Sequence, residues 1–146
     1  MNRLTKIISI TAIALATTVV VAQSASDNPV IRARQDVMKQ IGGAARVLGG
    51  MARGQRDFDA DKAGDAAASL LEAAKMIVPA FQENVTDSDS KAASSIWEDF
   101  DGFSAKAMEL ETAAMALQGV SSLNELRAGM GAAGATCGAC HKMYRN

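Results

Sequence analysis

From Val30 onward, apolar residues recur along the chain at intervals of three and four. Val30, Val37, Met38, Ile41, Ala45, Leu48 and Ala52 keep helical spacing, and Asp27 and Asn28 ahead of Pro29 supply a helix cap with proline at the first helical position. The glycine pairs Gly42-Gly43 and Gly49-Gly50 lie inside this first predicted helix. Each mid-helix glycine costs about 1 kcal/mol against alanine, so the pairs predict either close approach of a neighbouring helix or bulky group, or a local bend. A second helix is predicted from about Asp59 to Val78, with Ala63, Ala66, Leu70, Ala73, Ala74 and Ile77 on one stripe, ended or kinked by Pro79. After the turn-forming stretch PAFQENVTDSDS, a third helix from about Ser90 to Gln118 carries Ile96, Phe100, Phe103, Ala107, Leu110, Ala114 and Leu117. A fourth, from Ser122 to Tyr144, repeats that seam at Leu123, Leu126, Met130, Ala133, Cys137, Cys140 and Tyr144. Four long amphipathic helices with short links predict an all-α, antiparallel up-down-up-down four-helix bundle.

Composition adds a constraint on the core. The chain is 49% hydrophobic but only 4% aromatic, with one Trp, one Tyr and four Phe. Alanine packs helices closely but fills little space, so something else must supply bulk. The opening residues stand apart: Arg3 and Lys6 precede an uncharged run from Ile7 to Ala22, followed by small residues. That order predicts a cleaved secretory signal over 1–22, cut after Ala22 or else after Ser24 or Ala25, with the bundle domain over 23–146. An uncleaved anchor is the competing reading, but the run falls short of the roughly 20 residues that span a bilayer. Loss of Arg3 and Lys6 reduces 15 basic residues to 13 against 16 acidic ones, a formal charge of −3. A mildly acidic exported chain without a basic stripe predicts no nucleic-acid partner and no membrane association after cleavage.

The C-terminal TCGACHKMYR holds both cysteines and the single histidine of the sequence. Cys137 and Cys140 occupy seam positions, and His141 lies one turn beyond Cys137 on nearly the same face. Gly129, Gly131, Gly134 and Gly138 thin the surrounding helix, which predicts space for a large guest. A dithiol redox pair would be expected near a βαβ unit, structural zinc would want a fourth ligand, and a disulfide staple would close a very small loop. Cys-x-x-Cys-His also reads as c-type haem attachment, in which two thioethers hold the porphyrin and the histidine binds iron. Covalent attachment of this kind takes place outside the cytoplasmic membrane, in keeping with export.

On these residues the chain resembles the cytochrome c′ family, the class II c-type cytochromes with their low-spin relatives. ARQDVMKQIG, DSKAASSIWEDFDGF and CGACHKMYR carry the resemblance, which covers essentially the whole predicted mature chain. It implies one haem c bound through Cys137 and Cys140, with His141 on iron and Met38 at the distal position. It further implies Arg34 and Gln35 at a haem propionate, Ser90 near the haem edge and Arg145 near the haem and histidine. Ser94 stands where the family commonly has proline, which puts only that loop's shape in question.

Two behaviours are open. With the Met38 thioether on iron, the protein would be a low-spin periplasmic carrier passing single electrons to exported redox proteins. With Met38 merely packed there, iron would be five-coordinate and high-spin, and would bind diatomic gases such as nitric oxide or carbon monoxide. The carrier is the leading expectation and the gas-binding module its alternative. No paired-carboxylate cleft or activated nucleophile is legible, so no enzyme is expected. The resemblance also implies a homodimer through helices one and two.

Overall fold

The computed structural model describes residues 26–146, and the signal predicted over 1–22 lies outside them. Six helices follow in order: α1 (Pro29–Ala52), α2 (Ala60–Lys75), α3 (Ile77–Ala80), α4 (Ser95–Glu98), α5 (Phe100–Leu117) and α6 (Leu123–Tyr144). The four long ones close a ring in which α1 packs on α2, α2 on α5, α5 on α6 and α6 back on α1. This is the expected four-helix bundle. Among the described residues, no helix is long and apolar enough to cross a membrane.

Local chemistry sets the helix ends. The Asn28 side chain accepts hydrogen bonds from the Val30 and Ile31 amides at 2.9 and 3.4 Å, satisfying two donors the first turn leaves free. Gly54, at φ +71°, turns the chain just past the end of α1, a conformation that an L side chain resists. Asp59 caps α2 through the Lys62 amide at 3.0 Å. Ser122 caps α6 through Glu125, whose carboxylate reaches back to the Ser121 amide at 2.7 Å.

The second predicted helix breaks earlier than Val78. Pro79 has no N–H, and its ring crowds the carbonyl four residues back, at Lys75, where α2 stops; the chain turns at Met76 into the one-turn α3. The third helix does not start at Ser90 but at Phe100, preceded by the single turn α4. Two long-range bonds explain the difference. The Ala93 amide donates to the Tyr144 carbonyl at 3.0 Å, and the Asn146 amide donates to the Lys91 carbonyl at 2.9 Å. A backbone committed to the C-terminal tail cannot also wind into a helix.

The core follows the seams closely. Leu48, Leu70, Ile96, Phe103, Ala107, Ala114, Leu117 and Leu126 are all buried. On α1 the register is rotated slightly from the sequence reading, with Ile31, Ala44 and Met51 buried and Val30, Ala45 and Ala52 half-buried. The glycine pairs divide. Gly49 and Gly50 lie beneath the returning side chains of Arg53 and Arg56, while Gly42 and Gly43 border open space.

Candidate functional site

The last two turns of α6 carry the chemistry. Cys137 and Cys140 are both free thiols, half-buried and packed against the core. Burial pushes both thiols above the ordinary cysteine value, and at Cys140 the neighbouring Cys137 adds to this while Lys106 opposes it. His141 is exposed; partial burial of its ring and the nearby Arg145 guanidinium hold its imidazole below the usual value. Its neutral form, the one that can bind a metal, is therefore favoured.

The expected hollow is only partly present. A Cβ at Gly129 would sit 2.5 Å from Leu117 Cδ2, so this glycine serves close α5–α6 packing. Gly131, Gly134 and Gly138 do border open space. Two thiols one turn apart on a helix face, a histidine beside the second, and a glycine-lined open flank suit a large flat ligand joined through both sulfurs. Among the described residues, no three Cys, His, Asp or Glu side chains gather around one point as a bare metal ion would need. Two clefts elsewhere, one beside Asn84 and Asn146 and one beside Val47 and Phe58, do not include the cysteines.

Arg34, on α1, is 3% exposed. Its Nε donates to the Ala80 carbonyl at 3.1 Å and its Nη1 to the Val85 carbonyl at 2.7 Å, while Nη2 donates to the Glu83 carbonyl. The guanidinium lies 5.1 Å from the Phe81 ring centroid and 5.0 Å from that of Trp97, and burial lowers its pKa. Arg34 thus organises the loop after α3. Gln35 joins it, donating to the Asp89 carbonyl and accepting from the Ser26 amide, each at 3.4 Å. Ser90 is half-buried in the same loop and accepts from the Ala92 amide at 3.3 Å. Met38, one turn beyond Arg34, is half-buried against the core.

The structure therefore brings Arg145 near His141 and groups Arg34, Gln35 and Ser90 around the 81–94 loop. An antiparallel bridge between Ala92 and Arg145 joins the two groups. Sequence reasoning missed the side chains that build this junction. Trp97 Nε1 donates to the Phe81 carbonyl at 2.8 Å, and the Tyr144 hydroxyl donates to Asp99 at 2.9 Å. The sequence signal was Asp99 three residues before Gly102: Asp99 caps α5 through the Gly102 amide, and a Cβ there would sit 2.2 Å from its carboxylate.

Residues 29–145 match the family described as Cytochrome C'. The chain is 38% identical to a cytochrome c-556 of Agrobacterium tumefaciens (strain B2A), over 79% of this chain and 95% of that protein. It superposes on the solved cytochrome c' from Rhodobacter spheriodes with a TM-score of 0.73 and 31% identity, covering 80% and 94% of the two chains. It shares its fold, again at 0.73 but with 24% identity over 80% and 94%, with the nitric oxide complex of a cytochrome c prime variant from Alcaligenes xylosoxidans.

Proposed function

This chain belongs to the cytochrome c′ family, and from that premise we propose that it is an exported haem c protein that binds a diatomic gas such as nitric oxide or carbon monoxide. Members of that family carry haem or bind gases; the protein is not an enzyme. The observation that carries the haem assignment is the pair of half-buried thiols, Cys137 and Cys140, on one face of α6 with His141 beside them. Each thiol supplies one thioether sulfur, and the neutral imidazole of His141 supplies one ligand to iron. A haem c held there provides a one-electron couple and a metal that can take a small ligand. Its large apolar surface also completes a core otherwise short of bulk.

The protein's own residues set what happens on the far side. Met38 and its buried neighbours Val37 and Ile41 make that stretch of α1 apolar. Set over the iron, where the family resemblance puts Met38, this apolar stretch would offer no donor to a polar ligand and would favour a small uncharged diatomic. The nitric oxide complex solved on this fold supports that reading. Arg34 acts through the loop it holds, Gln35 and Ser90 through the same loop, and Arg145 lowers proton affinity at His141.

One observation favours a second reading, an electron carrier. Met38 is half-buried with its side chain packed against the core, and its thioether would supply a second ligand to the iron where the family resemblance puts it. The partners would then be exported redox proteins met through small transient interfaces. Open space beside Gly42 and Gly43 leaves room for a second copy along α1 and α2, to be checked by sedimentation. Absorption spectra of the reduced protein separate the readings. A broad high-spin spectrum that shifts with carbon monoxide supports gas binding. Sharp split bands, unmoved by carbon monoxide and lost in Met38→Ala, would establish the carrier instead.

A further inference from the structure

The end of α6 is tied down from outside the helix. A helix leaves its last carbonyls without partners. Here the Met143 carbonyl accepts from the Ser95 hydroxyl at 2.7 Å, and the Tyr144 carbonyl accepts from the Ala93 amide at 3.0 Å. One residue further, Arg145 forms its bridge with Ala92, and the Asn146 amide donates to the Lys91 carbonyl at 2.9 Å. Tyr144 closes the arrangement. Its ring is 4% exposed and packs edge-on against Phe103 at 5.4 Å, and its hydroxyl donates to Asp99 Oδ2 at 2.9 Å. Asp99 is itself fixed, because its other oxygen caps α5 through the Gly102 amide at 3.1 Å.

These contacts converge on the turn that begins at His141. His141 is exposed, so what the rest of the fold fixes is the backbone of the turn that carries it, and with it the point from which the imidazole projects. Metal ligands ordinarily have their orientation fixed by such outer contacts. We propose that Lys91–Asp99 is a latch on the end of α6, and that Tyr144, through its bond to Asp99, is a positioning residue that fixes the His141 turn. The inference rests on the haem reading above, since it assigns the latch a role toward the iron ligand. The segment also connects both sides of the site: the loop feeding into it is held from α1 by Arg34 and Gln35.

Tyr144→Phe keeps the ring packing and removes only the hydroxyl bond. In the haem-loaded protein, amide exchange over 141–146 is expected to accelerate roughly tenfold while α1 and α2 stay unchanged, the scale of one charge-assisted hydrogen bond lost locally. The iron–histidine stretching band in resonance Raman spectra should shift, a readout that general loosening of the fold would not move. Ser95→Ala, which removes a separate strand of the latch, should move both measurements in the same direction, and it serves if Tyr144→Phe fails to fold. Unchanged exchange in the last turn, or an unmoved iron–histidine band, overturns the proposal. A colourless wild type would sink the haem reading instead, while exchange in Tyr144→Phe would still decide whether the latch holds that turn.

Discussion

Replacing Arg34 with leucine keeps an apolar stem in place and removes three donors and a cation at once. The guanidinium serves the carbonyls of Ala80, Glu83 and Val85 and lies between Phe81 and Trp97. Hydrogen bonds from a charged donor contribute about 1.5–3 kcal/mol each when buried, but Glu83 is exposed and Ala80 and Val85 are half-buried, so about 1 kcal/mol each is appropriate. The two ring contacts add about 0.5–1 kcal/mol each. Against this, the variant no longer buries a charge, whose desolvation is visible in the lowered pKa of Arg34. The balance is a loss of about 3 kcal/mol, or about 10 °C in Tm for a domain of this size. Urea unfolding of the matured protein measures it, and the emission of Trp97, the single tryptophan, reports on the loop directly. Arg34→Lys should recover less than half of the loss, since an ammonium cannot meet three carbonyls in a fan. A loss below about 1 kcal/mol with unchanged Trp97 emission would refute the reasoning, because water would then serve those carbonyls equally well.

Other outcomes follow from the same contacts. Gly129→Ala should destabilise by about 1 kcal/mol in urea unfolding, because overpacking against fully buried Leu117 outweighs the gain in helix propensity. Gly131→Ala, facing open space, should stabilise the haem-free chain by roughly 0.5–1 kcal/mol. Burial raises the pKa of Cys137 and Cys140, so the folded haem-free chain holds less thiolate at pH 8 than the unfolded one. Iodoacetamide should therefore alkylate the folded form more slowly, with the gap closing as pH rises through the raised values.

The four long helices and most of their buried faces were legible because both depend on side-chain spacing, whereas the one-turn α3 and α4 and the exact facing of α1 were not. The α6 seam from Leu126 through Cys137 and Cys140 to Tyr144 places the thiols where the structure has them, half in and half out of the core. The region from Phe81 to Asp99 was not legible. Its shape depends on partners far along the chain: Arg34 holding three loop carbonyls, and the tail residues Tyr144 and Asn146 pairing with Lys91 and Ala93. Spacing alone also cannot show that an arginine belongs to the interior. Arg34 is buried because two aromatic rings and three carbonyls compensate its charge, and those groups lie 46 or more residues away. Gly129 illustrates the reverse error, a glycine that makes room for the chain's own Leu117 instead of a guest.

The central claim is that Cys137 and Cys140 carry a haem through two thioether bonds. Mass spectrometry of protein matured in a host competent for haem attachment tests it most directly, before and after digestion. The account predicts an intact chain heavier by one haem, with that mass retained on a peptide containing both cysteines after acid denaturation. A bare polypeptide, or a pigment extracted by acid with Cys137 and Cys140 left as free thiols, would contradict it.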